Sequence, residues 1–244
     1  MFNWFRKKQS KLNPIGFSNI GTDIHSHLIP GIDDGAKDLD DSISLIKNFK
    51  HLGFNKIITT PHIMSDLYQN TPTIIYKGLE ALKKELIKQE IDIDISAAAE
   101  YYVDYDFEQR IGKEELLSFG KKYILIEFSF LEEPRNMYDI IFKLQLEGYV
   151  VVLAHPARYQ YFSLDDYNAL IERGVLFQLN LLSLIGYYSR EVKINAELLI
   201  KHQLVSFVGT DCHNLNQVKL YDKCETMSSW HQLIESGRLL NNSL

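Results

Sequence analysis

The stretch YVVVLAHPAR, Tyr149 to Arg158, constrains the fold more than any other part of the chain. Its uninterrupted apolar run, VVVLA, favours a strand buried on both faces, which is typical of a parallel sheet covered by helices. The run ends directly in His155, and Arg158 follows three residues later. Because ligands bind at the carboxyl ends of parallel strands, this arrangement indicates a site at that edge of the sheet.

Similar apolar runs and helical patterns alternate along the whole chain. The predicted strands are 22–27, 56–60, 92–98, 123–128, 149–154, 175–180 and 205–210. The helical patterns cover 38–52, 73–89, 137–147, 164–173, 192–202 and 230–240, and 108–119 is irregular or weakly helical. This alternation predicts an α/β protein with a parallel sheet, either doubly wound or closed into a (β/α) barrel.

The composition narrows the class of protein. At 244 residues, with 45% apolar residues, the chain is long enough for one large core, and no linker or internal repeat divides it. We expect a leader over 1–20 and a single domain over 21–244. The net charge of −6 argues against a protein that coats nucleic acid. Two cysteines are too few for a disulfide framework.

The chain carries no predicted transmembrane segment. Its longest uncharged run, 174–189, is too short and too polar to span a bilayer. The basic start of the leader is followed by no apolar stretch of the kind that a secretory signal needs. We therefore expect a cytoplasmic protein.

Ionisable side chains lie near or after the carboxyl ends of six of the seven predicted strands. They are His25, His27, Asp33 and Asp34 at the first, then His62, Glu100, Glu127 and His155 at the next four, and Asp211 and His213 at the seventh. The other three histidines lie in predicted helices and are expected to be ordinary helix residues. Carboxylates gathered at one edge need cations to offset their desolvation, and imidazoles are metal ligands. The sequence therefore predicts a polynuclear metal site.

The segments that carry these residues resemble one known group of enzymes. DIHSHLIPGIDDG, TTPH, AAAEYY, LIEFS, AHPARY and GTDCHNL together are similar to the polymerase-and-histidinol-phosphatase (PHP) superfamily of metal-dependent phosphoesterases. The closer resemblance is to its bacterial capsule-locus protein-tyrosine phosphatases, of the CpsB/CapC type. It implies a distorted, TIM-like (β/α)7 barrel with three divalent metal ions in its mouth.

The resemblance also implies roles for individual residues. The first ion would take His25, His27, Glu100 and Asp211; the second would share Glu100 and add Glu127 and His155; the third would take Asp34, His62 and His213. Arg158 would lie beside the phosphate, and Arg158, His155 and Asp211 are the expected catalytic residues. Mixed imidazole and carboxylate ligation suits manganese, iron or zinc and does not choose among them; manganese is the ion that we expect, with iron or zinc as the other candidates.

The expected reaction is hydrolysis of phosphotyrosine on a protein, and the implied partner is the tyrosine-rich tail of a bacterial tyrosine kinase in exopolysaccharide regulation. Related proteins carry a further arginine after the D-x-H-N element, where this chain offers only Lys219. Phosphate recognition would then depend more on Arg158, or on Lys219.

Three alternatives compete with this function. A cysteine-based phosphatase needs an arginine six residues after its nucleophile, and Cys212 and Cys224 are followed there by Val218 and Trp230. That class is excluded. A small-molecule phosphatase, such as a histidinol-phosphatase, and a non-catalytic kinase-binding regulator both remain open, as does the number of subunits.

A set of aromatic residues near the predicted rim bears on the substrate. The set consists of Tyr101, Tyr102, Tyr159, Tyr161 and Phe162. These residues form either a stacking surface for a tyrosine ring or ordinary packing, and the sequence favours neither interpretation.

Overall fold

The structure is a computed structural model and describes residues 12–244. It has an α/β fold in which every strand ladder is parallel. The strands are β1 (Thr22–Asp23), β2 (Lys56–Thr59), β3 (His62–Ile63), β4 (Asp94–Ala97), β5 (Glu100–Tyr102), β6 (Tyr123–Glu127), β7 (Val150–Ala154), β8 (Leu176–Asn180) and β9 (Val205–Gly209). The helices are α1 (Leu39–His51), α2 (Pro72–Lys88), α3 (Tyr105–Arg110), α4 (Met137–Leu146), α5 (Leu164–Glu172), α6 (Arg190–Lys201), α7 (Leu215–Tyr221) and α8 (Ser228–Glu235).

The strands form two sheets. β1, β2 and β4 make the smaller one, in the order β1-β2-β4, and the larger has the order β3-β5-β6-β7-β8-β9. Within residues 12–244 the ladders therefore do not close into the single ring that the resemblance implies. Backbone hydrogen bonds nevertheless join the two ends of the fold. The Asp211 N–H donates to the His25 carbonyl oxygen over 2.7 Å, and the His27 N–H donates to that of Cys212 over 3.0 Å.

Each of the seven predicted ranges contains a strand, although the first is reduced to Thr22–Asp23, and two short strands, β3 and β5, lie beyond the predicted ranges. β2 stops at Thr59 and β3 begins at His62, because Pro61 has no N–H with which to continue the ladder. The neighbouring run breaks in step with it between β4 and β5, at Ala98 and Ala99. These paired breaks carry the chain from the smaller sheet to the larger one. Helix α7 lies where no helix was predicted, and α3 begins earlier than the predicted weak helix.

Two hydrophobic clusters fill the protein on the two faces of the strands. In β6, Ile124 and Ile126 belong to the main cluster, whereas Leu125 between them points the other way. Leu125 belongs to a smaller inner cluster that takes residues from both sheets and so joins them: Ile24, Ile58, Ala98, Phe119, Leu125, Val152, Ala154 and Phe207.

Part of the predicted leader is packed against the protein. Phe17 and Ile20 are buried in the main cluster, and the Phe17 ring lies 5.5 Å from that of Phe54, measured between centroids. The Trp230 indole N–H donates to the Ile15 carbonyl oxygen over 2.7 Å. The packed chain thus begins before residue 21, while residues 1–11 of the leader lie outside the described part. Among residues 12–244, no helix is both long enough and apolar enough to cross a bilayer.

Candidate metal centre

The structure brings all ten predicted site residues together at the carboxyl edge of the strands. Glu100 opens β5, Glu127 ends β6, and His155 directly follows β7. Six of the nine predicted ligands are buried: His25, His27, Glu100, Glu127, His155 and Asp211. The remaining three, Asp34, His62 and His213, reach the solvent.

The first predicted set lies in the deepest part of the centre. His25 Nε2 is 3.0 Å from Glu100 Oε2 and 3.4 Å from Asp211 Oδ1. His27 Nε2 is 3.5 Å from each of the same two oxygens. Two imidazoles and two carboxylates thus aim single atoms at one point, and those atoms lie within 4.8 Å of one another, an arrangement that can hold a metal ion.

The second predicted set adjoins the first through the other oxygen of Glu100. His155 Nε2 is 3.0 Å from Glu100 Oε1 and 3.5 Å from Glu127 Oε1. His62 also approaches this group, with Nδ1 at 3.3 Å from Glu100 Oε2. Glu100 therefore has one oxygen toward each set, which is the arrangement expected of a bridging carboxylate.

The third predicted set lies nearest the solvent. Asp34 Oδ1 is 3.4 Å from His213 Nε2 and 3.7 Å from His62 Nε2. These three residues form, together with His27, a group that can hold a metal ion, and His62 also forms such a group with Glu100 and Glu127. The Asp34 side chain is 51% exposed, so this group forms the outer wall of the centre.

Glu127 is the carboxylate of the centre whose charge is least compensated. Burial and repulsion from Glu100 raise the pKa of Glu127 well above its usual value. Burial lowers the pKa of His155 to about 4, so this imidazole is neutral. His27 Nε2 and His62 Nδ1 are buried and have no hydrogen-bond partner in the described residues. Divalent cations bind where imidazole lone pairs and carboxylate oxygens point to one place, so the residues present fit metal ions.

A second layer of side chains orients the inner histidines. His25 Nδ1 lies 2.8 Å from Gln178 Oε1, and His27 Nδ1 lies 2.8 Å from Asp33 Oδ2. Each oxygen can accept the Nδ1 proton, which leaves Nε2 of both rings free for a cation.

The sixth predicted strand contributes through this layer, although no ionisable group follows it. Gln178 Nε2 donates to Asn180 Oδ1 over 3.0 Å, and Asn180 Nδ2 donates to Asp211 Oδ2 over 2.5 Å. Sequence reasoning missed Gln178 and Asn180. The signal for them was present, since both are amides in the otherwise apolar strand LFQLN.

Two residues of the centre have an unusual backbone. His155 and Asp211 adopt φ values of 34° and 52°, in the left-handed region that residues other than glycine rarely enter. His155 follows β7 directly, and Asp211 follows β9 after one intervening residue, Thr210. The left-handed turn redirects the chain at these two points, where the side chains join the centre.

The mouth of the centre is a cavity of 450 Å³. Arg158 lines it, whereas Lys219 is exposed and does not. Its apolar wall is made by residues that the sequence did not single out: Met64, Leu67, Tyr68, Phe130 and Tyr188.

The aromatic residues that the sequence placed near the rim are packing residues. Tyr101 and Tyr159 are fully buried, and their hydroxyl oxygens accept backbone N–H groups of Leu117 and Phe128. Phe162 is buried as well. Tyr102 and Tyr161 are partly buried, and neither lines the mouth.

Neither cysteine is suited to act as a nucleophile. Both are free and buried, and burial raises the pKa of each thiol to about 12. The exclusion of a cysteine-based phosphatase from the sequence therefore agrees with the surroundings of Cys212 and Cys224.

Two curated proteins resemble the chain over most of its length. Tyrosine-protein phosphatase YwqE of Bacillus subtilis is 36% identical over 197 residues, which is 79% of this chain and 77% of that protein. Tyrosine-protein phosphatase CpsB of Streptococcus agalactiae serotype III is 28% identical, over 80% of this chain and 83% of that protein.

Solved structures show the same relationship. A structure from the study of YwqE from Bacillus subtilis and CpsB from Streptococcus pneumoniae, described as unique metal-dependent tyrosine phosphatases, matches with a TM-score of 0.79. It is 32% identical and covers 91% of this chain and 94% of its own. Histidinol phosphate phosphatase of Lactococcus lactis, at 15% identity and a TM-score of 0.51, shares the fold alone.

A family profile described as "Capsular polysaccharide synthesis, CpsB/CapC" matches residues 21–228, the part of the chain that contains every residue of the centre. The chain belongs to the CpsB/CapC family.

Proposed function

We propose that the protein is a metal-dependent phosphoesterase that hydrolyses phosphotyrosine on proteins. The observation that carries the proposal is the convergence of nine imidazole and carboxylate side chains, from residues 25–213, on one mouth that Arg158 also lines. The names of the relatives support the same activity, since YwqE and CpsB are tyrosine-protein phosphatases.

The proposal includes three divalent ions, held by the three residue sets described above. Manganese is the metal we propose, with iron or zinc as alternatives, because imidazole and carboxylate donors suit all three. Such ions, when bound, would attract the phosphate dianion and lower the pKa of water, so that hydroxide would be available to attack phosphorus near neutral pH. Asp211 and His155 hold the ions, and this is their proposed part in catalysis.

Arg158 supplies the direct contact with the substrate. Its guanidinium offers planar N–H donors that match two phosphate oxygens at once. The tyrosine phenol has a pKa of about 10 and is a fair leaving group, so the reaction needs no strong general acid.

The surroundings of the mouth favour a protein substrate over a small metabolite. Leu67 is 69% and Phe130 41% exposed, and apolar side chains beside a polar centre are suited to an aromatic ring. The mouth shares Met64 with one neighbouring cavity, and Asp34, His213 and Asn214 with another. These shared walls are our basis for proposing that an extended chain passes through the mouth. The histidinol-phosphatase alternative has only a shared fold in its favour.

Several broader expectations belong to the same proposal. The inner cluster and the hydrogen bonds between the first and last strands support a distorted (β/α)7 barrel. The main cluster takes residues from Phe17 to Leu233, which supports one domain that includes part of the predicted leader. The two free thiols suit the cytoplasm. We propose a bacterial tyrosine kinase as the substrate protein; the complete ligand set argues against a non-catalytic regulator.

The proposal is tested by removing one ligand at a time. His155→Ala and Asp211→Ala should lower the rate on a phosphotyrosine peptide at saturating manganese by more than about 100-fold, which is more than the loss of an outer-layer partner costs. His202→Ala is the matched control, because that histidine is exposed at the end of α6. Circular dichroism monitors the fold of each variant.

Near-normal rates for either ligand variant would show that the assignment is wrong. A wild-type protein that strongly prefers histidinol phosphate would favour the small-molecule alternative, and one that is inactive with metal fully loaded would favour the regulator. Elemental analysis of protein purified without added metal identifies the native ion.

A further inference from the structure

Arg158 lies between two aromatic rings. Its guanidinium carbon is 4.1 Å from the centroid of the Phe130 ring and 4.7 Å from that of Tyr188. Both distances lie well within the range of cation–π contacts. We call Phe130 and Tyr188 the Arg158 cage.

The cage is assembled from three neighbouring strands. Phe130 lies in the loop after β6, Arg158 in the turn after β7, and Tyr188 in the loop after β8. These three strands are adjacent in the larger sheet, so their carboxyl-end loops meet at the mouth. All three side chains line the same cavity.

Other contacts fix the two rings of the cage. The Tyr188 hydroxyl donates to Asp211 Oδ2 over 3.1 Å and accepts from Asn180 Nδ2 over 3.0 Å. The Phe130 ring packs beside His155 and Tyr159, with centroids 5.6 Å and 5.8 Å away. The cage is therefore connected to the metal centre itself and is not a loose surface contact.

A cage of this kind holds a guanidinium without occupying its hydrogen-bond donors. Aromatic faces attract the plane of the cation, whereas a carboxylate partner would take one or two of its N–H groups. Within residues 12–244 the Arg158 side chain donates no hydrogen bond, and its one close carboxylate contact is Nη1 to Asp211 Oδ2, at 3.5 Å. Its donors are thus available to an anion in the mouth.

We propose that Phe130 and Tyr188 are positioning residues that hold the Arg158 guanidinium ready for two-point binding of the substrate phosphate. The inference rests on the proposed phosphatase function and assigns to that function two residues of the aromatic wall. It also explains why an aromatic ring as exposed as Phe130 lies at the edge of a polar centre.

Binding of inorganic phosphate to the manganese-loaded protein provides the first test. Phe130→Leu, which keeps the apolar bulk but removes the ring, should weaken phosphate binding by about 3- to 10-fold, the effect of one cation–π contact. In an Arg158→Ala protein the same substitution should have no further effect, because the group that the ring positions is absent. Phe142→Leu, at an exposed phenylalanine on α4, is the matched control.

The metal-free protein gives a second measurement that does not depend on catalysis. Protons held over an aromatic face resonate upfield, so the Arg158 Nε–H signal should move downfield in Phe130→Leu and stay in place in Phe142→Leu. Tyr188→Phe keeps the ring and should leave most of the shift intact. The manganese affinity of Phe130→Leu should equal that of the wild type.

The possible failures are distinguishable. If the wild type binds phosphate and Phe130→Leu binds it equally well, or if the two substitutions are additive, the cage has no positioning role and the proposed function stands. If the wild type binds no phosphate at all, the proposed function fails and this inference fails with it.

Discussion

The two adjacent aspartates of the segment GIDDG have different roles. Asp33 turns inward: its oxygens lie near His27 Nδ1 and accept the backbone N–H groups of Gly35 and His62, over 3.0 and 3.1 Å. Asp34 instead faces the solvent side of the centre. Burial alone would raise the pKa of Asp33, but attraction to His27 together with the hydrogen bonds from His27 and Gly35 lowers it, so its carboxylate stays charged behind the ring. Asp33 therefore fixes the tautomer of His27 and, with it, the direction of Nε2.

We expect Asp33→Asn to weaken manganese binding by about 10- to 100-fold, because an amide that turns its NH₂ toward His27 cannot accept the Nδ1 proton. Competition with a fluorescent chelator measures the affinity. Asp38→Asn makes the same substitution at the exposed N-cap of α1, where asparagine caps equally well, and should change nothing. Equal affinities for the two variants would contradict the role of Asp33.

At the scale of elements, the sequence predicted the strands and the edge on which the site lies, because burial periodicity and parallel order follow from local patterns. It did not predict which face a residue takes after a break in a strand. The break between β4 and β5 turns Tyr101 into the main cluster, so its nearness in sequence to Glu100 gave no information about the rim. The roles of Gln178 and Phe130 depend on neighbours from other strands, which no local pattern reveals.

Strand β9 ends in Gly209, and its lack of a side chain allows the first and last strands to meet. A Cβ there would lie 2.7 Å from His25 Cβ and 2.9 Å from Gln178 Nε2. Gly209→Ala should therefore lower the free energy of unfolding by about 1–3 kcal/mol, as overpacking usually does, and weaken metal binding through His25. Urea unfolding of the metal-free protein measures the first effect.

Gly16→Ala is the control for Gly209→Ala. A Cβ at Gly16 would meet its neighbours at ordinary distances of 3.7 and 3.8 Å. This variant should be close to wild type in both stability and metal affinity. A Gly209→Ala protein that behaves in the same way would mean that β1 and β9 can separate without cost.

For the whole molecule, the centre acts as a junction. The proposed ligands come from the beginning, middle and end of the described chain, and the two sheets meet around them. Glu100 from β5 touches His25 from the chain after β1 and His155 from the chain after β7. The sequence could predict this gathering because each ligand lies near or after the carboxyl end of a predicted strand, but it could not predict the second layer that orients the ligands.

Bound manganese should therefore stabilise the entire fold. At a free concentration of about 100 times the dissociation constant, a single site adds about 2.7 kcal/mol, which corresponds to roughly 5–10 °C in Tm for a chain of this size. Differential scanning calorimetry with and without a chelator measures the shift. Glu100→Gln should lose most of this rise in Tm. An unchanged Tm after complete metal removal from the wild type would show that metal binding at the centre does not stabilise the fold.

The left-handed backbone at His155 and Asp211 has a consequence for engineering. Residues other than glycine in that conformation cost of order 1–3 kcal/mol each, so His155 and Asp211 lower the stability of the folded protein. Directed evolution for heat tolerance in the presence of a chelator, where no metal contributes to stability, would favour glycine or asparagine at both positions and yield stable but inactive variants. Selection for stable variants must therefore also require enzyme activity in every round.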